Sequence, residues 1–129
     1  MEGKETNMAS ILVIDDDARI RMLLRRVLEK EGHSVEEAGN GALGCERQRE
    51  AGFDLIITDI VMPDQEGVET IRLLRREFPR LPIVAISGGG GQGIDYLAMA
   101  KRMGADRILA KPFGNQEVSA AVAELLGPG

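Results

Sequence analysis

The sequence predicts an α/β domain: a five-stranded parallel sheet, doubly wound so that helices cover both of its faces. Three observations lead there. Five apolar, β-prone runs alternate along the chain with segments of helical period. Those runs are continuous rather than alternating in hydrophobicity, the pattern of strands buried on both faces. Right-handed crossovers between successive parallel strands then put helices on either side of the sheet. With 129 residues, 43% of them hydrophobic, the chain has the size of one domain and enough apolar mass for a core.

Residues 1–10 carry no apolar periodicity and are expected to form a flexible leader. Ile11 to Ile14 is the first strand, running directly into Asp15, Asp16 and Asp17. Ile20, Leu23, Leu24, Val27 and Leu28 then recur at i, i+3, i+4, i+7 and i+8, one face of a helix that starts at Ala18, with Asp17 as N-cap and Gly32 as stop. His33 to Ala38 is a second strand and Asn40 to Glu50 a second helix, whose Gly41 and Gly44 weaken the helical signal. Phe53 to Thr58 repeats the first pattern and delivers Asp59 at its end. After Pro63, a helix with Val68, Ile71 and Leu74 on one face runs until Pro79 and Pro82 close it. Ile83 to Ile86 leads to Ser87 and a glycine-rich stretch, Gly88 to Gly93, followed by a helix bearing Leu97, Ala100 and Met103. Ile108 to Ala110 is the last strand, ending at Lys111 and Pro112. Val118, Ala121, Val122, Leu125 and Leu126 line the final helix, so the folded domain spans 11–126 and 127–129 form a tail.

Composition excludes several classes. A single cysteine, Cys45, rules out a disulfide scaffold. No apolar run approaches the roughly 20 residues that cross a bilayer, and the first ten residues lack the apolar stretch of a signal peptide, so a cytoplasmic location and no membrane partner are expected. The net charge is −5 and the basic residues are scattered, which argues against a nucleic-acid partner. Gly88, Gly90 and Gly93 match the dinucleotide fingerprint G-x-G-x-x-G, but they follow the fourth strand rather than the first.

In doubly wound sheets, ligands bind beyond the carboxyl ends of the strands. Here those ends carry Asp15 to Asp17, Asp59, Ser87 and Lys111. Carboxylates gathered at one edge repel one another, and a cation would relieve them. Oxygen-only ligands suit Mg²⁺. Lys111 supplies a positive charge and Ser87 a hydroxyl for anionic oxygens, an arrangement equipped for phosphoryl transfer onto a carboxylate. The bland alternative is a helix start enriched in acids, and Asp17 alone is better read as a cap than as a ligand. Asp15-x-Asp17 also resembles the nucleophile motif of a small aspartate-nucleophile phosphatase, although no connection is long enough to form a cap over a substrate.

Taken in order, Ile11-Leu12-Val13-Ile14-Asp15-Asp16, then Asp54 to Pro63 with Gly67, then Ser87, then Lys111-Pro112-Phe113, the chain resembles a response-regulator receiver domain of two-component signalling, of the stand-alone chemotaxis-regulator kind. The resemblance implies a flavodoxin-like fold with strand order 2-1-3-4-5 and a switch rather than an enzyme. It implies that Asp59 accepts a phosphoryl group from a sensor histidine kinase or histidine phosphotransfer protein. It further implies that Asp15, Asp16, Asp59 and the Val61 carbonyl hold Mg²⁺, that Lys111 and Ser87 contact the phosphoryl group, and that Lys111-Pro112 is cis. With no output domain attached, the signal would pass by contact with a downstream protein. A pseudo-receiver or phosphate sink is the non-enzymatic alternative. Ile108 stands where many members carry Tyr or Phe, so a rotating ring cannot transmit the signal, and the segment from Gly88 to Gly93 is expected to move instead.

Overall fold

A computed structural model of the chain describes residues 8–60, 66–87, 98, 101–102 and 104–127. Strands β1 (Ser10–Ile14), β2 (Ser34–Ala38), β3 (Leu55–Asp59), β4 (Ile83–Ser87) and β5 (Arg107–Ala110) form one sheet. Its order is β2-β1-β3-β4-β5, and every neighbouring pair is parallel. Helices α1 (Ala18–Lys30), α2 (Gly41–Ala51), α3 (Glu66–Glu77) and α4 (Asn115–Leu126) connect and follow the strands. The doubly wound α/β architecture expected from the sequence is therefore the one formed. The helix expected around Leu97, Ala100 and Met103 and the stretch from Gly88 to Gly93 lie outside the described residues, although residues 98, 101 and 102 are helical.

Side chains alternate across each strand, which splits the core into two layers. Ile11 and Val13 of β1 join Leu55, Ile57, Val84 and Ile86 under Leu24, Val27 and Leu28 of α1 and Val118, Ala121 and Val122 of α4. Leu12 and Ile14 face the other way, with Ile56, Ile83 and Ala85, under Cys45 of α2 and Ile71 and Leu74 of α3. The apolar runs are thus continuous because the layers are fed by successive residues.

The structure corrects the sequence reading in detail. β1 begins at Ser10, inside the expected leader, because Ser10 pairs with Ser34 of β2 and is tied to Asp54, the residue before β3: its amide donates to the Asp54 carboxylate at 2.9 Å and its carbonyl accepts from the Asp54 amide at 2.8 Å. Leu23 is 41% exposed rather than part of the buried stripe. At 100° per residue it sits about 90° round the helix from the centre of Leu24, Val27 and Leu28.

α2 is a full helix despite its glycines, capped by Asn40, whose side chain accepts from the Leu43 amide, and ended by Gly52 at φ 69°. Its buried positions are Gly41, Gly44, Cys45 and Gln48. Gly44 allows close approach to the sheet: a Cβ there would lie 2.2 Å from Ile14 Cδ1. Gln48 bonds the Phe53 backbone in both directions, its Oε1 accepting from the amide at 2.9 Å and its Nε2 donating to the carbonyl at 3.3 Å. Edge strand β2 carries Glu36, gripped by the Arg47 guanidinium, and Glu37, bridged to Arg21 and Arg25 of α1.

Gly44→Ala is expected to destabilise the fold by about 1–2 kcal/mol, because overpacking against the fully buried Ile14 outweighs the gain in helix propensity. Urea denaturation of the two proteins measures the difference.

Candidate functional site

The strand register brings the expected residues to one edge. β1 pairs Ile14 with Thr58, β3 pairs Asp59 with Ile86, and β4 pairs Ser87 with Ala110. Asp15, Asp59, Ser87 and Lys111 therefore emerge together at the carboxyl ends of the three central strands and β5. Asp15 is wholly buried, Asp59 and Ser87 are nearly so, and Asp16 is exposed.

Asp15, Asp16 and Asp59 each offer a carboxylate oxygen within 4.8 Å of the others. Lys111 reaches in from the end of β5, its Nζ 3.8 Å from Asp59 Oδ2 and 4.0 Å from Asp15 Oδ2. Those separations allow charge attraction and exceed hydrogen-bond length. The Lys111-Pro112 peptide is cis, and the Lys111 amide donates to the Ser87 carbonyl at 3.0 Å, continuing the pairing of β4 and β5. Asp17 acts as the α1 N-cap, its carboxylate accepting from the Arg19 amide at 2.9 Å. Val61 lies outside the described residues.

Asp15 is held on every side except one. Its amide donates to the Ala38 carbonyl at 3.1 Å, its carbonyl accepts from Arg21 Nη1 at 2.6 Å, and its Oδ1 accepts from the Asp17 amide at 2.8 Å. Oδ2 is buried and accepts no hydrogen bond among the described residues. Burial pushes the Asp15 carboxyl up to about 6, with repulsion from Asp59 and Asp16 adding to it; the Asp17 amide and Lys111 pull the other way. A buried oxygen that accepts no hydrogen bond among the described residues, grouped with two further carboxylates, fits a hard divalent cation such as Mg²⁺, which takes oxygen ligands. Asp15, Asp16 and Asp59 are the side chains that could hold it.

Two contacts that shape the site were not read from the sequence, although Gly67 is among the residues that carry the family resemblance. Gly67 lets the first turn of α3 press on the chain after Asp59: a Cβ there would lie 2.4 Å from the Asp59 carbonyl oxygen and 2.5 Å from Ile60 Cα. Arg21, with Glu37 behind it, grips the Asp15 carbonyl. The available signal was a pair of acids, Glu36 and Glu37, in the middle of an expected strand, opposite Arg21 and Arg25 one helical turn apart. Ile108 is partly buried and packs on the layer beneath α2 and α3.

The response regulator receiver domain family matches residues 11–123. The chain belongs to that family. It is similar to the transcriptional regulatory protein ResD of Bacillus subtilis (strain 168), at 38% identity over 122 residues, which is 95% of this chain and 50% of ResD. It is also similar to the response regulator receiver protein CpdR of Brucella abortus (strain 2308), at 34% identity over 92% of this chain and 98% of CpdR. The chain thus spans half the length of one relative and nearly all of the other. Among solved structures, a CheY-like response regulator receiver domain protein from Methanospirillum hungatei JF-1 superposes with a TM-score of 0.83 at 27% identity, covering 92% of this chain and 94% of that one. No helix among the described residues is long and apolar enough to cross a membrane.

The receiver site sets a pH dependence for the metal-free protein. The folded chain takes up a proton on Asp15 near pH 6, whereas the unfolded chain does so near 3.8. Between these values the folded form binds more protons, so this residue's contribution to stability rises as pH falls. In EDTA, Asp15→Asn is therefore expected to be more stable than the wild type above pH 6, with the advantage shrinking toward pH 3.8. Urea titrations across that range test the sign.

Proposed function

We propose that the chain is a cytoplasmic phosphoacceptor switch, in which Asp59 takes a phosphoryl group from a histidine kinase or histidine phosphotransfer protein. The observation that carries this reading is the nearly buried Asp59 carboxylate with Lys111 Nζ 3.8 Å away, inside a cluster of acids that fits a divalent cation. Family membership supplies the class of partner.

An oxygen of Asp59 attacks phosphorus; the new O–P bond forms as the donor's N–P bond breaks, and the electron pair returns to the donor imidazole, which takes up a proton. Mg²⁺ bound at Asp15, Asp16, Asp59 and the Val61 carbonyl would neutralise charge on the phosphoryl oxygens. Lys111 supplies the protein's own positive charge beside Asp59, and a point charge on a flexible stem can follow a phosphoryl oxygen as it arrives. Ser87, at the adjoining strand end, offers a hydroxyl that can donate to the same group. That bond exists only with the phosphoryl group present, which is what a switch needs to favour one conformation over another.

Incubation with Mg²⁺ and acetyl phosphate, followed by intact mass measurement, is expected to give one base-labile phosphoryl adduct. Asp59→Asn abolishes it and EDTA prevents it. An adduct that survives Asp59→Asn would move the acceptor elsewhere, and a wild-type chain with no adduct would make this a pseudo-receiver.

A further inference from the structure

Arg21 is an arginine on the sheet-facing side of an amphipathic helix, and two of its bonds account for its position. Its Nη1 donates to the Asp15 carbonyl at 2.6 Å, and its Nε donates to Glu37 Oε1 at 2.9 Å. Glu37 is in turn fixed through its other oxygen by Arg25 Nη1 at 2.9 Å, and Arg25 is tied to Glu29 within α1. A planar guanidinium engaged at two points has little freedom left, so the strut between β2 and the end of β1 is stiff.

We propose that Arg21, braced by Glu37, is a positioning residue for the acidic pocket, fixing the peptide after Asp15 so that the carboxylate oxygen accepting no hydrogen bond among the described residues and the neighbouring Asp16 converge with Asp59 on a divalent cation. The inference rests on the cation-binding reading given above. Asp15 has its amide, carbonyl and Oδ1 all engaged by hydrogen bonds, and the oxygen left over is the one Lys111 Nζ approaches at 4.0 Å. Of those three restraints, Arg21 alone comes from a side chain. It is also the one that sets the plane of the Asp15–Asp16 peptide, and so the direction in which Asp16 leaves the strand.

The sign of the effect separates positioning from charge. A guanidinium near three carboxylates repels an incoming cation, so if Arg21 acted only through its charge, its removal would tighten Mg²⁺ binding. If it positions Asp15 and Asp16, its removal weakens binding, as loss of groups that orient metal ligands does by about tenfold or more.

The test is the Mg²⁺ dissociation constant of the full chain, from calorimetry and from the Mg²⁺-dependent rise in Tm. It is measured for wild type, Arg21→Ala, Arg21→Lys and Arg25→Ala at a temperature where each is folded. Arg21→Ala is expected to raise Kd about tenfold, and Arg21→Lys, which keeps the charge and one donor, to recover part of the loss. Arg25→Ala removes the same charge and loosens Glu37 without touching the Asp15 carbonyl, and is expected to raise Kd by less than Arg21→Ala does. If Arg21→Ala lowers Tm while its Kd stays at the wild-type value or falls, Arg21 is only a structural brace and the inference is overturned. If Arg21→Ala does not fold, Arg21→Lys decides: an unchanged Kd in that variant overturns the inference, a raised one supports it. Wild-type protein that binds no Mg²⁺ overturns the cation-site reading itself and this inference with it.

Discussion

Asp15 is a carboxylate shut away from water and set beside a second nearly buried carboxylate, Asp59, and the electrostatic cost of that arrangement is what the neighbouring structure answers. Desolvation disfavours the ionised form and each nearby acid disfavours it further. The protein offsets this with an ammonium from β5, an amide from the start of α1 and a guanidinium on the adjoining carbonyl. One carboxylate oxygen, Oδ2, still accepts no hydrogen bond among the described residues. A fold that maximised its own stability would put an apolar or amide side chain there. Retaining the acid leaves a standing electrostatic cost that a bound cation would remove.

The acids are also located with little slack, and the cause is close packing of helices on the backbone that carries them. Gly44 brings α2 against Ile14, the residue before Asp15, and Gly67 brings α3 against the carbonyl of Asp59 and the following residue. Two helices on the same face of the sheet thus press on the two strands that deliver the buried carboxylates. Since packed interiors shift in discrete steps rather than deform continuously, displacement at Asp59 has a direct mechanical path into α3.

The sheet and most of the site were legible in the sequence because parallel strands write their burial plainly. Ile11 to Ile14 and Leu55 to Ile57 admit few readings, and acids immediately after such runs have to lie at the carboxyl edge. What stayed hidden depends on contacts between segments distant in sequence. The buried face of α2 consists of Gly41, Gly44, Cys45 and Gln48, which have the spacing of an amphipathic stripe without its hydrophobicity. Leu23 carries the right residue type but falls at the edge of the stripe, where only the position of α4 and the sheet decides its exposure. Arg21 could not be matched to Asp15 from residue types, since it bonds a backbone carbonyl that no side-chain pattern records, and the brace behind it runs through Glu37 on neighbouring strand β2.

The same pairing has a bearing on how the molecule behaves among other chains. β2 forms one border of the sheet, and a border strand exposes backbone groups that could template the addition of a foreign strand. Its third and fourth residues are glutamates, each already clasped by arginines from the helices on either side. An incoming strand would have to lie alongside two carboxylates and dislodge guanidinium groups that span the border. Charge placed on a rim in this way acts as a gatekeeper against edge-to-edge aggregation, so the residues that brace the acidic pocket also help keep a sheet with such apolar central strands from recruiting its neighbours.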